Sequence, residues 1–345
     1  MIERVLAIET SCDDTSVAIV DRSGWVHSVV SASQDLEHEA YGGVVPEIAA
    51  RNHSIALIPL IEEAFKKANM NWSDIHGISV TNRPGLVGAL IVGLVTAKSL
   101  SQAKHLPFLG VNHLEGHLLA PFLKDAQYAP PEDFDYPYVG LAISGGHTSL
   151  YHITALGEYR VLGATKDDAA GECFDKFAKM AGLGFPGGVK VDQMAKSGNP
   201  QAFEFPRSMI HDDSFDMSFS GLKSSGQRML AQLGPEQVKA QMPDLCASFQ
   251  EAIVDVLIAK LDRAARVFKA KRVILTGGVS ANSRLRARAE EWAAKKGLRL
   301  VVPPLRYCTD NAAMIGYVGA LRMARGETSQ IDLGPSPHAL ESDFR

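Results

Sequence analysis

The sequence predicts an α/β fold made of two similar halves, and three observations carry that prediction. Arg4 to Glu9 is an apolar, strand-like run. After the polar turn Thr10 to Asp14 come Ser16 to Val20, the turn Asp21-Arg22-Ser23-Gly24 and Trp25 to Val30, the pattern of an antiparallel meander. From Tyr138 the order returns: Tyr138 to Ile143, a polar turn Ser144 to Thr148, Ser149 to Ile153, a turn at Gly157, then Tyr159 to Leu162. Leu6-Ala7-Ile8 and Leu141-Ala142-Ile143 occupy equivalent places in the two runs. Finally, a chain of 345 residues has room for about two domains, each with its own core. Two such meanders facing each other would create a cleft into which both strand-to-strand turns point.

The remaining elements follow in order. Pro46 opens a segment with apolar residues at Ile48, Ala49, Ile55, Ile58, Leu60, Ile61, Ala64 and Phe65, which has helical spacing. Ile75 to Val80 reads as strand, Leu86 to Leu100 as helix and Phe108 to Val111 as a short strand, with a helix from His113. From Lys124 to Pro137 the chain is polar and irregular, which suggests a connection. The expected division is therefore a first domain over 1–124, a connection over 125–137 and a second domain over 138–345. Within the second, Asp168 to Ala181 and Pro243 to Phe268 are helical, and a helical insertion covers about 168–243, with a Pro-, Gly- and Ser-rich stretch from Phe185 to Gly226. Arg272 to Thr276 is a strand, Ser283 to Lys296 a helix and Val301 to Pro303 a last short strand. The closing helix, about 311–325, can pack back towards the first domain.

Composition narrows the class of protein. With 46% hydrophobic and 21% charged residues the chain is neither disordered nor fibrous. Its apolar stretches, such as Ala89 to Val95, fall well short of the roughly 18 residues that span a bilayer. The start Met1-Ile2-Glu3-Arg4 has no leader pattern, so a cytoplasmic location and no membrane partner are expected. Cys12, Cys173, Cys246 and Cys308 are spaced too widely for a zinc or redox pair and are expected to be free thiols. The net charge of −4 does not advertise nucleic acid, although Lys260 to Arg299 holds twelve Lys or Arg against Asp262, Glu290 and Glu291. That stretch fits either a phosphate-binding face or solvated helix surfaces.

The sharpest chemical signal is His113-Leu114-Glu115-Gly116-His117, since two imidazoles four residues apart on a helix share a face and can share a metal. The alternative is a pair of ordinary histidines; the Asn112 and Gly116 context favours metal. Glu115 is two places after the first His, whereas a zinc protease needs its base directly after it. Asp310 is a candidate third ligand at a helix start, where it would serve equally as a cap. The turns holding Thr10 and Ser11, and Ser144 to Thr148, offer hydroxyls and backbone amides suited to phosphate, or are plain hairpin turns. Gly277-Gly278, between a strand and a helix, presents backbone to a nucleotide. Neither a P-loop nor a strand-linked Gly-x-Gly-x-x-Gly motif is present. Asp175, Asp192 and Lys223 lie in polar, glycine-flanked surroundings suited to specificity groups or to plain surface charge.

Taken together, Ile8-Glu9-Thr10-Ser11-Cys12-Asp13-Asp14, Tyr41-Gly42-Gly43-Val44-Val45-Pro46-Glu47, Pro84-Gly85-Leu86, the His113 to His117 motif, Ser144-Gly145-Gly146-His147-Thr148, Phe185-Pro186-Gly187-Gly188, Phe219-Ser220-Gly221-Leu222-Lys223, Gly277 to Asn282 and Cys308-Thr309-Asp310-Asn311 closely resemble the bacterial TsaD family. The resemblance runs from residue 4 to about 326. It implies the duplicated fold of actin, Hsp70 and hexokinase, and transfer of a threonylcarbamoyl group from threonylcarbamoyl-adenylate to N6 of adenosine 37 in tRNAs reading ANN codons. It further implies that His113, His117 and Asp310 hold a divalent metal, iron or zinc, that contacts the adenylate phosphate. Ile143, Ser144, Gly145, Gly146 and His147 would line the phosphate and acyl portion, and Asp175, Gly188, Asp192 and Asn282 the nucleotide. His147 and, by position only, Asp13 are the catalytic candidates. A TsaB-like paralogue and the TsaE ATPase, which consumes ATP, are the implied partners. Arg83 stands where the family usually has Gly. Other classes on such a fold are a metalloprotease, which the displaced Glu115 argues against, and an ATP-dependent chaperone or kinase-like protein.

Overall fold

A computed structural model describes residues 2–339, which fall into two compact units. One runs up to Glu132 and resumes at Pro303; the other is Asp133–Val302. The division thus falls at 132/133, and the stretch from Pro303 packs with the first unit.

The first unit contains β1 (Arg4–Glu9), β2 (Thr15–Asp21), β3 (Val26–Ala32), the short α1 (Asp35–Glu39), α2 (Pro46–Ala68), β4 (Gly77–Arg83), α3 (Val87–Lys104), β5 (Phe108–Asn112) and α4 (His113–Leu119). The second contains β6 (Tyr138–Ile143), β7 (Thr148–Ala155), β8 (Glu158–Ala164), α5 (Ala170–Met180), α6 (Gly187–Ala195), α7 (Ser220–Ala240), α8 (Met242–Val267), β9 (Arg272–Thr276), α9 (Ser283–Lys296) and β10 (Arg299–Val301). The short α10 (Leu305–Cys308) and α11 (Ala312–Ala324) return to the first unit.

The duplication is explicit in the sheets. Their orders are β3-β2-β1-β4-β5 and β8-β7-β6-β9-β10, with the first three strands of each antiparallel and the last three parallel. β1 is a central strand paired on both sides, which is why Val5-Leu6-Ala7-Ile8 is apolar without alternation. Leu6 and Ile8 enter a core with Leu57, Leu60 and Leu94 of α2 and α3. On the opposite face Ala7 meets α11, whose Gly316 and Gly319 lie so close to Ala7, Val20 and Ser79 that a β-carbon at Gly319 would sit 2.3 Å from Ser79 Cβ. In the second unit Val139, Leu141 and Ile143 join Phe174, Phe177 and Phe249, the last two stacked with ring centroids 3.9 Å apart.

Two helices, α6 and the first part of α7, occupy the stretch that composition alone reads as Pro-, Gly- and Ser-rich. Phe205, Phe219 and Leu222 anchor this region to the core, and α7 bends at Gly234, which has φ 73°, before Pro235. Among the described residues no helix is long and apolar enough to cross a membrane, and all four cysteines are free.

Candidate functional site

Asn112 caps α4 by accepting from Leu114 N–H at 2.8 Å, and Asn311 caps α11 by accepting from Met314 N–H at 3.0 Å. These caps fix the neighbouring His113 and Asp310 at two helix starts. Asp310 Oδ1 lies 3.3 Å from His113 Nε2 and 3.2 Å from His117 Nε2. Both imidazoles are buried, while the Asp310 side chain keeps 26% of its exposure and so opens the cluster to solvent. Ligand atoms of the three residues lie within 4.8 Å of one another.

Glu9, at the end of β1, lies behind this cluster. Its Oε2 is 3.0 Å from His113 Nδ1 and accepts from the Thr81 hydroxyl, and its Oε1 accepts from Ser11 N–H at 2.5 Å. Burial pushes the Glu9 and Asp310 carboxyls up, but His113 between them outweighs it and holds both below their ordinary range. Burial likewise opposes charge on His113, yet Asp310 and Glu9 together raise it well above a normal imidazole. His117 is pushed down, chiefly by burial, which keeps it neutral. Its Nδ1 is buried and has no hydrogen-bond partner among the described residues. A neutral imidazole, a second imidazole steered by a carboxylate behind it, and an ionised carboxylate open to solvent form a donor set that fits a divalent cation.

The β1–β2 turn flanks the cluster. The Thr10 hydroxyl donates to Ala89 O at 3.0 Å, and Ser11 Oγ is 3.2 Å from His113 Nδ1, so Thr10 and Ser11 tie the turn to α3 and α4. His53 donates from Nε2 to Cys12 O at 2.8 Å and accepts from the Thr15 hydroxyl at 2.7 Å, bracing the same turn. Burial raises Asp13, and burial together with Asp13, Asp310 and Asp35 raises Asp14 to about 7. Arg83 occupies a β4–β5 irregularity opposite Asn112, while Gly85 passes so close that a β-carbon there would lie 2.5 Å from Ser11 O.

The Ser144 to His147 turn and Gly277-Gly278 follow β6 and β9, two interior strands of the second unit's sheet, and so lie at one end of it. In the β6–β7 turn Ser144 N–H donates to His147 O at 2.7 Å and His147 N–H to Ser144 Oγ at 3.1 Å, leaving open space where side chains would project from Gly145 and Gly146. The Thr148 hydroxyl accepts from Ala170 N–H at 2.9 Å, and Gly171 abuts Ser144 O and Gly145, so the N-terminus of α5 lies against the turn. Gly277, at φ +85°, abuts Ile143 from the other side, with Gly278 beside it in open space. Asn282 caps α9 and donates to Gln250 at 2.6 Å, and Asp192 accepts from the Ser283 hydroxyl at 2.7 Å. Asp175 accepts from Gly187 and Gly188 N–H at 2.8 and 3.2 Å. These three therefore hold helix starts within their own unit.

Lys223 pairs with Asp168 at 2.6 Å. The basic stretch from Lys260 to Arg299 is largely neutralised in space: Arg284 and Arg288 reach Glu251, Arg266 and Lys296 reach Asp262, and Lys260 reaches Asp212. Counting charge along the chain misses acids supplied by α8 and by the loop before α7. No separate role was evident in the sequence for Glu9 and Asp14, which stood only within the Ile8 to Asp14 motif, or for His53, a polar residue on a helix marked by its apolar spacing.

Fold and site together define a class, a duplicated actin-like α/β protein carrying a buried His-His-carboxylate cluster in its first unit. HypF from T. kodakarensis shares the fold over 94% of this chain and 48% of its own, with a TM-score of 0.63 at 13% identity. The (R)-2-hydroxyglutaryl-CoA dehydratase component A of Acidaminococcus fermentans shares it over 94% of this chain and all of its own, with a TM-score of 0.55 at 15% identity. Within that class the chain belongs to the TsaD family, tRNA N6-adenosine threonylcarbamoyltransferase, whose profile matches residues 26–317. It is 88% identical over 345 residues, the whole of both chains, to the tRNA N6-adenosine threonylcarbamoyltransferase of Bdellovibrio bacteriovorus. To that of Sorangium cellulosum it is 51% identical over 340 residues, 96% of this chain and 95% of the other. The activity is acyl transfer in tRNA modification.

Proposed function

We propose that the chain transfers the threonylcarbamoyl group of threonylcarbamoyl-adenylate to N6 of adenosine 37 in tRNAs reading ANN codons. The N6 amine forms a bond to the carbamoyl carbon, the bond from that carbon to the phosphate oxygen breaks, AMP leaves and the amine loses a proton. The observation that carries this reading is the convergence of His113 and His117 on Asp310 while Glu115, already out of place for a protease's base, is taken up by Arg322 at 2.9 Å. His113, His117 and Asp310 would hold Fe2+ or Zn2+, which when bound supplies Lewis acidity towards a phosphate oxygen.

Ile143 to His147, with the start of α5 and Gly277-Gly278, would take the phosphate and acyl portion through backbone N–H groups. Gly188, Asp175, Asp192 and Asn282 would shape the nucleotide side. For the proton, Asp14, raised to about 7, is better matched to neutral pH than Asp13. The TsaB-like partner would cover the exposed apolar side chains Ile55 and Ile58 of α2 and Val87, Ile91 and Val95 on α3, five of them on two neighbouring helices. TsaE and its ATP complete the system, in the cytoplasm where tRNA is found.

The test is mass spectrometry of nucleosides from an unmodified ANN-decoding tRNA after incubation with the chain, its partners, ATP and threonylcarbamoyl-adenylate. Threonylcarbamoyladenosine should form, and should be lost with His113→Ala. Its absence with folded, metal-loaded protein and matched partners would overturn the substrate assignment.

A further inference from the structure

The His-x-Glu-Gly-His motif has two residues that do not face Asp310, and both act on the same neighbour. Glu115 is buried, its side chain only 4% exposed, and Oε1 pairs with Arg322 Nη2 at 2.9 Å and accepts from Arg322 Nε at 3.0 Å. Arg322 is near the C-terminal end of α11 and is itself held by Glu327 at 2.8 Å. Gly116 is the point of close approach: a β-carbon there would lie 2.9 Å from Met314 Cγ and 3.0 Å from Ile315 Cδ1 on α11. The helix that carries both histidines therefore touches α11 in its first turn and near its end, while His113 and His117 meet Asp310 just before its start. The two contacts on α11, at Met314 and Arg322, are eight residues apart, about 12 Å at the helical rise. A short helix held at separated points of a longer one has little freedom to slide or roll.

We infer that Glu115 is a positioning residue for the metal centre: with Arg322 it fixes the docking of α4 on α11 that brings His113 and His117 to Asp310. The inference rests on the metal reading proposed above. One carboxylate oxygen accepting from two guanidinium nitrogens constrains both distance and angle, and the charge that strengthens the pair in this buried place is what an amide lacks. Gly116 complements it, because a side chain there would press on the Met314 and Ile315 side chains of α11.

Zn2+ affinity of the full chain, measured by competition with a chromophoric chelator, tests the inference without reference to turnover. Glu115→Gln and Arg322→Gln should each weaken binding roughly ten- to hundredfold, as loss of outer contacts to metal ligands does. The double variant should be no weaker than the weaker single, because both remove one interaction. Gly116→Ala, which keeps the ion pair but spreads the helices, should weaken binding too, and it decides the matter if Glu115→Gln does not fold. His113→Ala should lose binding. Parental affinity in Glu115→Gln, or in Gly116→Ala, alongside loss in His113→Ala overturns the positioning role and leaves the metal site standing. Equal binding by His113→Ala and the parent overturns the metal reading itself.

Discussion

His113 Nδ1 faces Glu9 Oε2 at 3.0 Å, with Glu9 fully buried at the end of the central strand β1. With a cation on Nε2 His113 would keep a single proton, and a carboxylate in that position holds it on Nδ1, which donates to Glu9 while Nε2 stays turned towards Asp310. The orientation of a residue on α4 is thereby set by a strand about a hundred positions earlier in the chain. Glu9 is itself fixed by Ser11 N–H and the Thr81 hydroxyl, so the arrangement is anchored in the sheet.

Replacing Glu9 by Gln keeps the shape but removes the charge that selects the tautomer. Glu9→Gln should lower Zn2+ affinity by roughly tenfold or more and reduce threonylcarbamoyl transfer, with its circular dichroism spectrum unchanged. Chelator competition checks this; parental affinity would show that β1 has no part in orienting His113.

Asp14 predicts a pH dependence of stability. Its carboxyl is raised from 3.8 to about 7 by burial and by the charges of Asp13, Asp310 and Asp35, so the native state keeps a proton that the unfolded chain gives up. Stability is therefore lost as pH rises between about 4 and about 7, and the loss is complete above that window. Asp14→Asn removes this contribution. Its urea midpoint should fall less between pH 5 and pH 8 than the parent's, and equal falls would refute the assignment.

Much of this was legible in the sequence because strands and turns are local. The meander, its repetition, the helices from Pro46 and His113, and the His pair all follow from spacing within a few residues. Glu9 was not legible as a partner of His113, since it sits in a run whose apolar neighbours signal only a buried strand. The ion pair of Glu115 with Arg322 joins positions 207 residues apart, and no periodicity reports that. The charge of the α8–β10 stretch stayed open between two readings for the same reason: Glu251 and Asp255 lie outside the window in which the bases were counted, yet face them across a helix pair.

Gly277 and Gly278 are neighbours with opposite demands. Gly277 has φ +85° and would place a β-carbon 2.3 Å from Ile143 O, whereas the same atom at Gly278 meets nothing within 4 Å. Gly277→Ala should cost on the order of 1–3 kcal/mol, while Gly278→Ala should change stability by less than about 1 kcal/mol. Urea denaturation of both variants checks the contrast. Similar losses in the two would mean that the approach of this turn to β6 does not constrain the fold.

The apolar patch on α2 and α3 makes the last prediction. Ile91 and Val95 are one helical turn apart on α3, 44% and 55% exposed, with Ile55 and Ile58 on the neighbouring α2 68% and 51% exposed. Side chains this exposed contribute little to folding of the unit, so their replacement should leave the thermal midpoint nearly unchanged. At an interface each would lose contact with water, and an ionised group there would face apolar surface without a counter-charge. Ile91→Asp should therefore weaken association with the TsaB-like partner at least tenfold, a loss of about 1.4 kcal/mol, while Zn2+ affinity stays at the parental value. Sedimentation or titration calorimetry of the purified pair measures it. Parental association by Ile91→Asp and by Ile58→Asp would place the partner elsewhere on the chain.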